Sequence, residues 1–438
     1  MLILKLAAMN HEHFINAVDE TISKGVDQRI LHLVQEGELT SNNRITINGS
    51  TLSNFTSCSY LGLEHDSRLK KGAIDAINTY GTQFSESRAY VSLELYKELE
   101  ALMSEIFNAP CLIAPTTTLG HISAIPVILQ SDDAVIIDQQ LHNSVVSGIN
   151  IFRANWPCHF EILKHNRMDL LEERIKVLQA GHKRIWFFAD GIYSMFGDRC
   201  PIDDVVRLLD TYPAFHAYID DAHGMSIWGE RGKGFVLGKR QIHSKMIVAS
   251  SMAKAFATGG GILVFPNKEW ARKVRTCGGP FNSSGPLQPA VLGAAIASAK
   301  IHLTEEIYDL QNELLQRIRF ANSLFEKTFL PLVPNYDSAI FFVGTSRQDI
   351  AYNIMKRMLE RGFLVNIGVF PAVTQKNSGI RFTITILQSY EEIEKMITVL
   401  NEEFWAALES TSVALEQISK AFKIPVNSGP QPVAVLSN

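Results

Sequence analysis

Cysteine is scarce in this chain and forms no pattern. The five thiols (Cys58, Cys111, Cys158, Cys200 and Cys277) are odd in number, widely spread and include no Cys-x-x-Cys pair. That argues against a disulfide framework and a zinc ribbon, leaves no metal site to expect, and fits a reducing, cytoplasmic compartment. There is no basic stripe and no acidic tail: the net charge is −4 with both signs mixed along the chain, so nucleic acid is not an expected partner. Long apolar runs are missing too. The opening MLILKLAAMNHEHF is interrupted at Lys5 and no adequate apolar core follows, so neither a signal peptide nor a membrane span is expected. No internal repeat is visible, and the triplets NGS, NFT and NSS carry no weight as glycosylation sites in a cytoplasmic chain.

What is present is a large supply of core material. At 438 residues, 46% of them hydrophobic, the chain can build two or three domains. From about Asp66 helical patterns alternate with short apolar runs, a βα rhythm that predicts a mostly parallel sheet covered by helices. Candidate strands are CLIAP, DAVIID, RIWFFAD, FHAYID, KMIVAS and GGILVFP; candidate helices include SLELYKELEALMSEIF and MDLLEERIKVLQAG. Near His302 the pattern changes. A long amphipathic helix is followed by SAIFFVG, GFLVNIG and IRFTITIL, alternating with helices at 348–361 and 390–408, which reads as a smaller α+β domain. The expected division is an N-terminal segment 1–65, a large domain 66–301, a small domain 302–410 and a tail 411–438 whose last dozen residues should be poorly ordered.

Several of these strands stop at polar residues, and in an open α/β sheet the carboxyl ends of the strands are where ligands sit. After HAYI come Asp220, Asp221 and His223, followed by a Gly-punctuated loop. Burying unpaired carboxylates is costly, so something cationic belongs there. Lys254 follows KMIVAS among small residues and precedes three consecutive glycines. Any lone lysine starts as a surface lysine. Here the small neighbours leave room for a ligand and the glycines permit close backbone approach, while a desolvated amine is what Schiff-base chemistry needs. A lysine holding pyridoxal phosphate would account for the aspartates: a buried carboxylate opposite the ring nitrogen raises that nitrogen's pKa and keeps it protonated.

With these residues in view, the chain resembles the α-oxoamine synthase family of fold-type-I pyridoxal-phosphate enzymes over roughly 55–400, with the motifs in family order. Where the family ends a strand in Asp-Glu-Ala-His, this sequence reads Asp220-Asp221-Ala222-His223. The resemblance implies that Asp220 pairs with the pyridinium nitrogen, that His223 hydrogen-bonds the phenolic oxygen, and that Asp221 replaces the usual Glu. A helicase-like reading of Asp-Asp-Ala-His fails, because no G-x-x-x-x-G-K-[ST] loop exists. DQQLHNSVVSGI resembles the segment whose histidine stacks on the cofactor ring, which implies His142. APTTTLGHIS lies where helix N-terminal amides take the phosphate, making Thr117 and Thr118 the candidates, with His121 where an asparagine is common. DGIYSMFGDRCPI resembles Glu-Ser-x-x-Ser-Met-x-Gly-Asp, with Asp190 for Glu, Gly191 for Ser and Ser194 retained near the cofactor oxygen. Ser251 falls at a phosphate-binding position. Ser283 and Ser284 in PFNSSGPLQPA match a segment that reaches the neighbouring subunit's site, which implies a homodimer with shared active sites.

The same resemblance makes Arg381 in GIRFTITI the anchor for an amino acid's carboxylate, a task suited to a guanidinium. Gln388-Ser389 stands where the family has His-Thr. In CSYLGL, Cys58 replaces an asparagine near the substrate; Arg88 in SESRAY is expected to be structural. The departures are expected to concentrate around the substrate. The catalytic set is thus Lys254, His142, Asp220 and His223. The implied reaction is a decarboxylative condensation of an amino acid with an acyl thioester, carried by coenzyme A or by a carrier protein, to give an α-aminoketone. Aminotransferase or aldol-type lyase chemistry shares the Lys/Asp pair and stays open, as does a non-catalytic partner subunit, which need not keep Lys254.

Overall fold

The computed structural model describes residues 11–39, 43–333, 337–411 and 413–424. The first ten residues of the apolar opening and the expected disordered end lie outside them. The strands are β1 (Arg44–Ile47), β2 (Ser50–Asn54), β3 (Cys111–Ala114), β4 (Ala134–Asp138), β5 (His159–Leu163), β6 (Ile185–Asp190), β7 (Phe215–Asp220), β8 (Met246–Ser251), β9 (Gly261–Val264), β10 (Ile340–Gly344), β11 (Phe363–Leu364), β12 (Asn366–Gly368) and β13 (Gly379–Thr383).

Seven strands form the central sheet in the order β3-β9-β8-β7-β6-β4-β5. All neighbours are parallel except β9, which runs antiparallel to both β3 and β8. The apolar runs make this arrangement: β4, β6 and β8 are buried along their whole length, as strands covered on both faces must be. One face packs under the helices Thr117–Ile128, Asn143–Asn155 and Lys268–Cys277, through Ile125, Val145 and Val274. The other carries Glu94–Phe107, Met168–Leu178, Ile202–Thr211 and Pro289–His302, through Leu99, Leu171, Val205 and Leu292. Each fully buried Leu or Ile in these layers contributes about 1.5–3 kcal/mol relative to exposure. The run HFEIL is a further strand, β5, outside the expected set: it is a half-buried edge in which His159 and Glu161 interrupt Phe160, Ile162 and Leu163, so it lacks the unbroken apolar run of the central strands.

The run GFLVNIG divides between two sheets. Its first part, β11, pairs with β2, while β12 pairs with β13 beside β10. The β1–β2 hairpin is thereby hydrogen-bonded into the C-terminal body, with Phe55 N–H donating to the Leu364 carbonyl at 2.8 Å and Thr383 N–H to the Phe55 carbonyl at 2.9 Å. The segment 1–65 therefore delivers Cys58 and Tyr60 to the strand that carries Arg381. Among the described residues no helix is long and apolar enough to cross a membrane.

Candidate functional site

At the carboxyl ends of β4, β6, β7 and β8 lies a cavity of about 290 Å³, and its walls include Thr117, Thr118, His142, Ser194, Asp220, His223, Ser251 and Lys254. Arg381 reaches the same place from the C-terminal body: its Nε donates to the Ser194 carbonyl at 2.9 Å and its Nη2 lies 3.9 Å from Cys58 Sγ. Ser283 and Ser284 are not brought in. They line a separate hollow with the 83–87 loop.

The two adjacent aspartates have different tasks because they leave the strand end in different directions. Asp220 lines the cavity; its Oδ1 accepts from Ala222 N–H at 3.0 Å and its Oδ2 lies 3.0 Å from His121 Nε2. Burial opposes its ionisation, but the charge and hydrogen bond of His121, with Lys254 and His142 nearby, hold the carboxyl down to about 2. Asp221 turns under the Gly-rich loop. Its Oδ2 accepts from Val236 N–H at 3.0 Å, and a Cβ on Gly191, Gly224 or Gly234 would collide with its carboxylate. Burial there pushes Asp221 up to about 8. Asp190, at the end of β6, is also pushed up, by burial and by the charge of Asp220, and its Oδ1 accepts from His142 N–H at 3.1 Å.

His142 combines a local and a site role. Its Nδ1 accepts from Ser144 N–H at 3.3 Å, capping the helix Asn143–Asn155, while the ring lines the cavity; burial lowers its pKa. His223 is buried, and burial together with the charges of Lys254 and Arg381 pushes it well below the ordinary imidazole range. Burial likewise lowers the Lys254 amine, against the opposing pull of Asp220. The turn carrying it is closed by Ala257 N–H donating to the Lys254 carbonyl at 2.8 Å and by Ala253 N–H donating to Ser251 Oγ at 3.2 Å.

The helix Thr117–Ile128 begins at the cavity rim. Thr116 caps it, accepting from Leu119 N–H at 3.0 Å, and the Thr117 hydroxyl donates to the Ser250 carbonyl at 3.3 Å. Thr116, Thr117 and Thr118 line the cavity, and a helix start of this kind leaves backbone N–H groups that the helix itself does not use and that can take an anion. β9 passes close by: a Cβ on Gly261 would stand 2.5 Å from Thr117 Cα and 2.6 Å from its N.

Three residues of the site went unassigned in the sequence reading. Thr116 is one, Tyr60 another: its hydroxyl is 2.9 Å from His223 Nδ1. Tyr60 lay in the quoted CSYLGL, but nothing local pairs it with a residue so far along the chain. The third is His121, noted only as a departure. This departure touches the residue assigned to the cofactor ring, His121 Nε2 lying 3.0 Å from Asp220 Oδ2. Gln388, another departure, is buried and turned to the backbone, accepting from Thr385 N–H at 3.0 Å and donating to the Asn54 and Thr383 carbonyls. Arg88 donates to the Ile113 carbonyl at 3.0 Å and to Glu100, with its guanidinium over the Tyr96 ring, contacts that hold structure together.

A buried ionised carboxylate, a desolvated amine and an amide-lined helix start around one small cavity fit pyridoxal phosphate. The family description Aminotransferase class I and II matches residues 51–400. The chain belongs to that family. Within it, the relatives are α-oxoamine synthases. The 8-amino-7-oxononanoate synthase of Alkaliphilus metalliredigens is 26% identical over 404 residues, covering 90% of this chain and 98% of the relative; that of Petrotoga mobilis is 27% identical over 395 residues, covering 87% and 95%. Among solved structures, the Sphingomonas wittichii serine palmitoyltransferase superposes with a TM-score of 0.82 at 21% identity, covering 90% of this chain and 98% of that one. This is the fold-type-I architecture, and pyridoxal phosphate is the cofactor it serves.

Proposed function

We propose that the protein condenses an amino acid with an acyl thioester, releasing the thiol and carbon dioxide and leaving an α-aminoketone. The observation that carries this is the convergence, in one cavity, of Lys254, Asp220, His142 and His223 from the large body, with Arg381 of the C-terminal body bonded to the Ser194 carbonyl at its wall and close enough for its charge to act on Lys254 and His223. Bound pyridoxal phosphate supplies an electron sink for the negative charge that develops at the amino acid's Cα.

The chain's own residues do the rest. Arg381 holds the amino acid's carboxylate, its Nε already fixed by the Ser194 carbonyl. Lys254 would hold the cofactor, and its amine would take the proton from the amino acid's Cα, a role for which a lowered pKa suits it. Asp220, kept ionised on the cavity wall, would pair with the cofactor's ring nitrogen. Of the residues on the cavity wall, His142 would cover the cofactor's ring, Thr117, Thr118 and Ser251 would hold its phosphate, and Ser194 would serve its ring oxygen. His223, held by Tyr60, would hydrogen-bond the cofactor's phenolic oxygen and would polarise the thioester carbonyl as the new C–C bond forms and the C–S bond breaks. Cys58 borders the substrate beside Arg381. A second hollow of about 560 Å³ shares His142 and Ser194 with the first and is walled by Leu141, Met195, Phe196 and Val373, which gives an acyl donor room to approach.

The working unit is a homodimer with shared sites. Ser283 and Ser284 lie away from their own chain's cavity, and Tyr90, beside the same loops, is 84% exposed. A cytoplasmic enzyme using coenzyme A or a carrier protein fits this reading.

Thiol release tests it. Protein loaded with pyridoxal phosphate is given pooled amino acids and pooled acyl-CoAs, with controls lacking amino acids. Amino-acid-dependent thiol release is expected, and splitting the pools names both substrates. Keto-acid-dependent amino transfer without thiol release would replace this function with the aminotransferase reading.

A further inference from the structure

Asp220 is held from behind by a chain of buried groups. A carboxylate has about four lone-pair directions; Ala222 N–H at 3.0 Å and His121 Nε2 at 3.0 Å occupy one on each oxygen. Because ionised Asp220 only accepts, Nε2 carries the hydrogen. Nδ1 of the same ring lies 2.8 Å from the Tyr218 hydroxyl, and the two rings meet edge to face with centroids 5.7 Å apart. Burial keeps the Tyr218 hydroxyl protonated, so it can partner Nδ1 in either state of the ring, accepting when Nδ1 carries a hydrogen and donating when it does not. His121 and Tyr218 are both inaccessible to solvent, and water cannot substitute for either.

The position of His121 adds a second observation. It lies on the helix Thr117–Ile128, four residues beyond Thr117 and so one turn along the same face. The helix whose first turn borders the cavity thus also grips a carboxylate on the cavity wall. The other charged or titratable groups around Asp220 are Lys254 from the turn after β8, His142 at the start of Asn143–Asn155, Asp190 at the end of β6 and Asp221 beside it.

We propose that His121, backed by Tyr218, is a positioning residue that fixes the orientation and charge of Asp220, and that through its helix it sets the spacing between the ring-nitrogen and phosphate ends of the cofactor site. This rests on the cofactor-binding part of the function proposed above, but not on the acyl transfer.

The test uses full-length His121→Leu, His121→Asn and Tyr218→Phe, each checked for native circular dichroism. Three readouts are followed: the pyridoxal phosphate dissociation constant, the pH midpoint of the bound cofactor's visible band without substrates, and the kcat and KM of thiol release. His121→Leu should weaken cofactor binding about tenfold or more, move the band's pH midpoint and lower kcat with little change in the amino acid's KM. His121→Asn, which keeps an N–H for Asp220, should recover much of the cofactor affinity. Tyr218→Phe should move the same band in the same direction by less. Unchanged cofactor affinity and an unchanged band midpoint in both His121→Leu and Tyr218→Phe would overturn the proposal, leaving His121 as core filling. If His121→Leu does not fold, Tyr218→Phe decides by its band midpoint. Absence of thiol release from acyl-CoAs in the parent protein would overturn the coenzyme A-dependent acyl transfer alone, since the first two readouts need no reaction.

Discussion

The Tyr60 hydroxyl lies 2.9 Å from His223 Nδ1, and both side chains are buried. This contact ties the N-terminal segment to the strand end that carries Asp220, across 163 residues of chain. Tyr60 sits at a φ of 46°, a left-handed conformation that a bulky residue adopts only under constraint from its surroundings. Tyr60→Phe leaves the His223 nitrogen without its partner. Stability should fall by about 1–3 kcal/mol, read by denaturant unfolding, and thiol release should slow.

Lys254→Ala should lose the covalent link to the cofactor. Borohydride reduction followed by peptide mass analysis should label the parent at Lys254 and leave the variant unlabelled, with turnover lost. Labelling of another lysine in the parent would remove Lys254 from its assigned role.

Arg381→Lys separates substrate anchoring from cofactor binding. A single ammonium cannot reproduce the forked grip of a guanidinium on a carboxylate. The amino acid's KM should rise about tenfold, while the pyridoxal phosphate dissociation constant stays within about twofold; a loss of the order of 1.4 kcal/mol corresponds to that factor.

Asp221 gives a pH-dependent stability of definite sign. Its carboxyl is pushed up to about 8 in the folded chain by burial, against about 3.9 when unfolded. Between these values the unfolded chain has lost the proton that the folded chain keeps, so this residue's contribution is full below about pH 4 and declines as pH rises towards 8. Asp221→Asn removes the ionisation. The stability of the variant relative to the parent should increase from pH 5 to pH 8 by more than about 1 kcal/mol, measured by urea unfolding at each pH. A difference that stays flat, or runs the other way, would refute the assignment.

Gly261→Ala places a methyl group against the backbone of Thr117, 2.5 Å from its Cα. Backbone cannot swing aside as a side chain can, so the helix start must shift. A destabilisation of about 1–3 kcal/mol should appear as a lower Tm, together with weaker cofactor binding. A normal dissociation constant for pyridoxal phosphate would show that this helix start does not hold the phosphate.

How much of this was legible beforehand depends on the range of the interactions. The strands DAVIID, RIWFFAD, FHAYID and KMIVAS appear in the structure as β4, β6, β7 and β8, because a run buried on both faces carries its own apolar signature. β5, at the sheet edge, carries none. GFLVNIG looked like one strand and became two, since which sheet each half joins is decided by partners elsewhere. Among the site residues, Lys254, Asp220, His223 and His142 stand at strand ends or helix starts, where local pattern points to them. Tyr60 and His121 have no local mark.

The sequence by itself determined the order of the βα units, the placing of a lysine, two aspartates and two histidines at the ends of strands, and the family those motifs belong to. These follow from residues adjacent along the chain, through side-chain periodicity and backbone preference. Only the tertiary structure decided that His121 grips Asp220, that Asp221 turns under the Gly-rich loop, that Tyr60 meets His223 and that Arg381 lies beside Cys58. Those pairings depend on sheet register and on the docking of the hairpin β1–β2 against β11, and contacts between distant segments exist only once burial has brought the two bodies together.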